Sequence, residues 1–198
     1  MKSIALTGGI ACGKSLFGRL LSEEGVETMD ADELVHALHE PHGKGALAVA
    51  AEFGPEYLRP DGSTDRARLG NLVFADPSAK ARLEAIVHPL VRQSLLDWKN
   101  SFPRPAFRVA QIPLLFQMPE WRGDWDVAVT VEAPEELRFE RLCARGLSPE
   151  QARARIASQL SSAERISRAD YVVQNNAGIE ELRALARQLL ATLGSNHP

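Results

Sequence analysis

The chain has 198 residues, 44% of them hydrophobic, and a formal charge of −3 from 23 Lys and Arg against 26 Asp and Glu. That is enough apolar material for one compact domain with or without a small insertion. The slightly acidic balance argues against a broad nucleic-acid-binding face while leaving room for a local basic pocket, and no apolar run approaches membrane-spanning length. Cys12 and Cys143 show neither metal nor disulfide spacing, so a reduced, cytoplasmic setting is expected.

The first element is an apolar strand, Ser3-Ile4-Ala5-Leu6. It leads into Gly8-Gly9-Ile10-Ala11-Cys12-Gly13-Lys14-Ser15, which has the pattern G-x-x-x-x-G-K-[ST]. The apolar spacing of Leu16, Phe17, Leu20 and Leu21 continues it as a helix. In that strand–loop–helix context the pattern binds phosphate. Backbone N–H groups turn inward, Lys14 reaches the β- and γ-phosphates, the Ser15 hydroxyl ligates Mg²⁺, and the helix start adds a positive dipole end. The same segment rules against a lipoprotein leader, because Thr7-Gly8-Gly9 interrupts the apolar stretch.

Val26 to Met29 reads as a second strand, followed by Asp30-Ala31-Asp32 and a helical pattern through Leu34 and Leu38. Residues 43–104 read as mostly helical, with breaks at Gly54-Pro55 and Arg59 to Ser63. Asp65 caps a helix holding Leu69 and Leu72. Asp76-Pro77 opens a longer one with Leu83, Ile86, Val87, Leu90, Val91 and Leu95 on one face, kinked or broken near His88 by Pro89. Phe107 to Ile112 is a third strand, Asp126 to Val131 a fourth and Tyr171 to Val173 a fifth. Helices from Pro134 to Arg145, from Ser148 to about Leu160 and from Ile179 to Leu193 separate and close them. The expected fold class is therefore α/β: a three-layer, parallel sheet of about five strands around a phosphate loop. The nucleotide core would span about 1–35 and 105–198. An inserted helical region would cover about 36–104, and a lid about 146–168.

Two further constellations carry chemistry. Ligands in such sheets bind beyond the carboxyl ends of the strands, where Asp30 and Asp32 follow the second strand and His36 lies a turn further on. A carboxylate there can take the proton of a hydroxyl acceptor. Helix capping is the simpler role for Asp in this position. Beside a phosphate loop Asp32 is read as catalytic, and Asp30 stays open. Arg138, Arg141 and Arg145 share one helix face, with Arg153 and Arg155 in the next helix. They are read either as a solvated face paired with Glu135, Glu136 and Glu150, or as a hinge at Arg145-Gly146-Leu147 with a charge-stabilising lid.

The ordered set resembles the dephospho-CoA kinases over nearly the whole chain. It comprises Leu6 to Ser15, Asp30 to Asp32, Asp65-Arg66 with Leu69-Gly70, His88-Pro89, Pro113 to Phe116, Arg141 to Arg145, Arg155-Ile156 with Gln159, and Ala169 to Val173 with Asn175. The resemblance implies ATP-dependent phosphorylation of the 3′-hydroxyl of dephospho-CoA, with a small-molecule acceptor and neither a nucleic-acid nor a membrane partner. It places Ala11, Cys12, Gly13, Lys14, Ser15 and Leu16 against the ATP phosphates, Asn175 near adenine, and Asp32 as base. Arg145 falls in the lid hinge, and His88 and Arg92 on the acceptor. Oligomeric state stays open.

The chain departs from that pattern at several points. Ala11 and Cys12 replace the usual small pair, and Ala11 fits without strain only if its φ is negative. Leu16 leaves Ser15 as the magnesium hydroxyl, while Gln111 and Gln117 stand where acids are expected, making Asp30 a further candidate for Mg²⁺. A low-pKa, oxidation-sensitive Cys12 is weighed against an inert small residue, with the latter favoured. A shikimate- or gluconate-type kinase and a non-catalytic nucleotide-binding module are the remaining alternatives. A shikimate type should show a glycine cluster where Pro113 to Phe116 stands. D-x-x-G and N-K-x-D, the marks of a GTP-binding switch, do not occur.

Overall fold

Five short runs form the strands of a single sheet in the computed structural model, which describes residues 1–103 and 105–195. They are β1 (Lys2–Gly8), β2 (Glu27–Asp30), β3 (Phe107–Gln111), β4 (Val127–Glu132) and β5 (Tyr171–Gln174), in the order β2-β3-β1-β4-β5. The pairs β1–β3, β1–β4 and β4–β5 are parallel, with Ile4 opposite Val109 and Val127. Ser3 to Thr7 of the central strand are all buried, as a run with neighbours on both sides should be. Arg108 ties the edge strand on, donating from Nε to Glu27 Oε2 at 3.0 Å.

The helices are α1 (Lys14–Glu23), α2 (Ala31–Leu38), α3 (Lys44–Phe53), α4 (Arg66–Ala75), α5 (Pro77–Asn100), α6 (Pro119–Arg122), α7 (Glu135–Ala144), α8 (Pro149–Ala157), α9 (Ser162–Arg168) and α10 (Ile179–Ser195). The chain forms two compact units, Met1–Met29 with Pro103–Pro198, and Asp30–Phe102. In the first, Phe17, Leu20 and Leu21 of α1 and Leu182, Ala186, Leu189 and Leu193 of α10 share a core with Ile4, Leu6, Val109 and Val129 of the sheet. At about 25 cal/mol per Å² of apolar surface, this burial is the main stabilising term. In the second, α5 packs against α2, α3 and α4 and buries Val87, Val91 and Leu95.

Several boundaries differ from the sequence expectations for local reasons. β2 starts one residue late because Gly25 and Val26 first close α1, donating to Ser22 O and Leu21 O. The break expected at Pro89 does not occur: α5 runs through it as one 24-residue helix. Proline forfeits one helical hydrogen bond, and the apolar face on either side keeps the helix continuous. The helix after Ser148 stops at Ala157, short of Leu160, and α9 follows. Its Ser161–Glu164 capping box is the signal that periodicity missed. Position 104, within the helical expectation, and residues 196–198 lie outside the described residues. Among the described residues no helix is long and apolar enough to cross a membrane.

Candidate active site

β1 ends at Gly8 and α1 begins at Lys14, so Gly9 to Gly13 must turn the chain within a few residues. The loop closes on itself through Cys12 N–H donating to Gly9 O at 3.2 Å. Gly13, at φ 97°, opens α1 with no side-chain cap. The first-turn N–H groups are therefore available to an anion, where the helix dipole also favours one. Gly13 must be glycine for a second reason: a Cβ would run into Asn175 Nδ2. Ala11 has φ 61°, the sign that the sequence reading marked as costly.

Gly9, Ala11, Gly13, Lys14, Ser15 and Leu16 line a cavity of about 370 Å³, completed by Arg19, Arg141, Arg145 and Asn175. The structure thus gathers most of the expected cofactor-binding residues with Arg145 in one place. Gly8 lies behind them, paired with Val131 in the sheet. Cys12 is fully buried in the core beneath the loop. Burial pushes its thiol pKa up, against the pull of Arg138 and Arg165, which favours the inert reading. Asn175 is buried and donates Nδ2 to Cys12 O at 2.8 Å, which makes it a brace of the loop. Lys14 Nζ lies 3.4 Å from Gln111 Oε1, so the glutamine at the end of β3 receives the lysine at the position where the family pattern has an acid.

The arginines of α7 turn toward the loop. Arg138 Nε donates to Ile10 O at 3.0 Å and Arg141 Nη1 to Ala11 O at 3.0 Å, while the exposed Arg145 lines the cavity. The solvated-face reading therefore fails for Arg138 and Arg141. α7 ends in a Schellman turn, with Gly146 N–H on Cys143 O and Leu147 N–H on Leu142 O. Arg153 of α8 instead stacks over Phe139, 5.0 Å from its centroid. The following segment reaches the loop with other groups: Gln159 Oε1 accepts from Ile10 N–H at 2.7 Å.

Arg165 of α9 is buried in a two-point ion pair with Glu132 at the end of β4, each contact 2.7 Å. Burial opposes ionisation of Glu132. Hydrogen bonds from Arg165, Thr130 and Ser162 outweigh it and hold the carboxyl below the usual range. Sequence reasoning did not single out Glu132, Arg165 or the role of Gln159. Their contacts to the loop and to each other span 33 and 149 residues, beyond any local pattern.

The remaining expected residues stand in the second unit. Asp30 caps α2, its Oδ1 accepting from Asp32 N–H at 2.9 Å. Asp32 is exposed in the first turn of α2, and its carbonyl oxygen lies 2.8 Å from His36 Nδ1. His36 is also exposed, with its carbonyl accepting from Arg66 Nη2 at 3.1 Å. His88 and Arg92 are half-buried four residues apart on α5, the spacing of neighbours on one helix face. Among the described residues no group of three or more His, Cys, Asp or Glu is arranged to hold a metal. Ser15, exposed at the start of α1 and lining the cavity, offers one hydroxyl. That fits Mg²⁺, which takes its other ligands from phosphate oxygens and water.

The chain matches a family model described as dephospho-CoA kinase over residues 2–181. A dephospho-CoA kinase from Frankia casuarinae is 43% identical over 184 residues, 93% of this chain and 80% of that one. One from Geobacillus kaustophilus is 41% identical over 196 residues, 96% and 94% of the two chains. Among solved structures, dephospho-CoA kinase from Campylobacter jejuni superposes with a TM-score of 0.72 at 28% identity, covering 98% of each chain. A shikimate kinase from Acinetobacter baumannii, at 21% identity and a TM-score of 0.54 over 99% of this chain and 94% of that one, shares the fold.

Proposed function

The chain belongs to the dephospho-CoA kinase family, and on that premise we propose how its residues divide the ATP-dependent phosphorylation of dephospho-CoA. The terminal phosphoryl group of ATP passes to the ribose 3′-hydroxyl, giving coenzyme A and ADP. The observation that carries this division is the uncapped start of α1 at Gly13, facing a cavity that Lys14, Arg141 and Arg145 also line. Amides, one lysine and three arginines around a single cavity suit a polyphosphate, because each supplies a donor where negative charge must be held.

In this reading the loop amides and Lys14 fix the phosphates. Ser15 holds Mg²⁺ against their oxygens, and that ion supplies charge neutralisation when bound. Arg145, with Arg141 beside it in the cavity, balances charge on the group in flight. Asp32 accepts the hydroxyl proton as the oxygen attacks the terminal phosphorus and the bond to ADP breaks. Its carboxylate is exposed, whereas Asp30 is engaged as the cap of α2, which supports giving the base role to Asp32. His36, His88 and Arg92 are assigned to the acceptor, whose phosphates call for hydrogen-bond donors. The protein acts in the cytoplasm.

Turnover of Asp32→Asn against Asp30→Asn tests this division. Asp32→Asn is expected to lower kcat by roughly 10²–10⁴-fold, the usual contribution of a general base, with the ATP affinity kept. Asp30→Asn retains a capping side chain and most of its rate. Near-normal turnover by Asp32→Asn overturns the assignment of the base.

A further inference from the structure

Two buried arginines converge on the entry limb of the phosphate loop, and among the described residues only Arg165 is paired with a carboxylate. A Cβ on Gly9 would stand 2.7 Å from Arg165 Nη2 and 3.0 Å from Arg138 Nη2, so the glycine is what lets both guanidinium groups lie against the loop backbone. Arg165 is neutralised by Glu132 through two contacts and donates further to Ser162 Oγ. Arg138 is 4% exposed, donates Nε to Ile10 O, and leaves Nη2 buried without a hydrogen-bond partner among the described residues.

A buried, uncompensated cation is costly to the folded protein, and a hydrophobic residue of similar size in its place is often neutral or stabilising. Such a group persists where it serves a function, and here the neighbouring ligand site is anionic. The α1 end of the loop offers its amides to the inner phosphates, and Lys14 spans the outer pair. The Gly9–Ile10 limb leads into the loop from β1, and the Arg138 charge lies against its backbone.

We propose that Arg138 is a positioning residue for the terminal phosphate of ATP. Its guanidinium holds the Ile10 carbonyl and lays an unneutralised positive charge beneath the entry limb, for which the terminal phosphate is the counter-charge. The consequence is discrimination between ATP and ADP, two ligands that differ by that one phosphoryl group. The proposal rests on the reading that the loop holds ATP, and it extends that reading to a residue outside the cavity lining.

The test is calorimetric binding of ATP and of ADP to the wild type, Arg138→Met and Arg138→Lys, in Mg²⁺ without acceptor, with the melting temperature of each nucleotide-free protein. Arg138→Met is expected to weaken ATP by about tenfold, the scale of one lost charged interaction, and ADP by less than twofold. Its nucleotide-free melting temperature is unchanged or higher, because the buried charge is gone. Arg138→Lys keeps the charge and recovers most of the ATP preference. A merely structural brace predicts the reverse: a lower melting temperature with the ATP-to-ADP preference intact. Equal weakening of both nucleotides overturns the terminal-phosphate assignment. If Arg138→Met does not fold, a wild-type preference in Arg138→Lys upholds the role of charge, and loss of that preference from a stably folded Arg138→Lys overturns it. Wild-type protein that binds neither nucleotide removes the reading beneath the proposal, and the proposal with it.

Discussion

Asn175 holds the phosphate loop from behind: its side-chain amide donates to the Cys12 carbonyl at 2.8 Å, across the space that Gly13 leaves by having no side chain. Gly13→Ala meets two penalties at once, a positive φ and a clash with that amide. ATP affinity is expected to fall more than tenfold, read by calorimetry. Asn175→Ala, which leaves the Cys12 carbonyl without that donor but causes no clash, falls by less. Equal losses in the two variants contradict the steric account.

Ala11 sits at φ 61°, a conformation that costs a non-glycine residue about 1 kcal/mol or more. Ala11→Gly is expected to raise stability to urea by about 0.5–1 kcal/mol, the strain relieved exceeding the entropy that glycine adds to the unfolded chain. A destabilised variant means the strain is not borne by this residue.

Glu132 is the counter-charge of buried Arg165, and Glu132→Gln leaves that guanidinium without it. The loss is expected at about 3–5 kcal/mol in denaturant unfolding at pH 7. The sign with pH follows from the depressed folded pKa. The contribution of Glu132 is complete above the ordinary glutamate value of 4.5 and declines as pH drops through the lower folded value. The gap between wild type and variant should narrow below pH 4.5 and stay constant above it. A gap that widens in acid contradicts the ion pair as its origin.

Cys12 is fully buried with a raised pKa, while Cys143 is partly accessible. In the native protein a thiol reagent is expected to label Cys143 alone, and mild peroxide should leave activity intact. Labelling of Cys12 at the rate of an exposed thiol runs against its burial.

The phosphate loop was legible because its glycines, lysine and serine act through backbone geometry that local spacing specifies. The helices of the second unit were legible for the same reason. Asp65 and Asp76 announce their starts, and both cap as expected, accepting from Arg68 N–H and Ser78 N–H. What periodicity cannot convey is a partner. The spacing of Arg138, Arg141 and Arg145 placed them on one face, but whether that face met water or the loop depended on how α7 packs. Asp30 and Asp32 are chemically identical, and backbone conformation alone, extended at Asp30, makes the first the cap. Gln111 reads as a missing acid until Lys14 is found beside it.

Phosphoryl transfer from ATP to dephospho-CoA is the activity on which the residue roles depend. Its most direct measurement is ADP release by the purified protein with ATP and Mg²⁺, comparing dephospho-CoA, shikimate, gluconate and nucleoside monophosphates as acceptors. Stimulation by dephospho-CoA alone, with coenzyme A formed in equal amount to ADP, is the predicted result. No stimulation by dephospho-CoA above the acceptor-free rate, or a faster reaction with another acceptor, would contradict it.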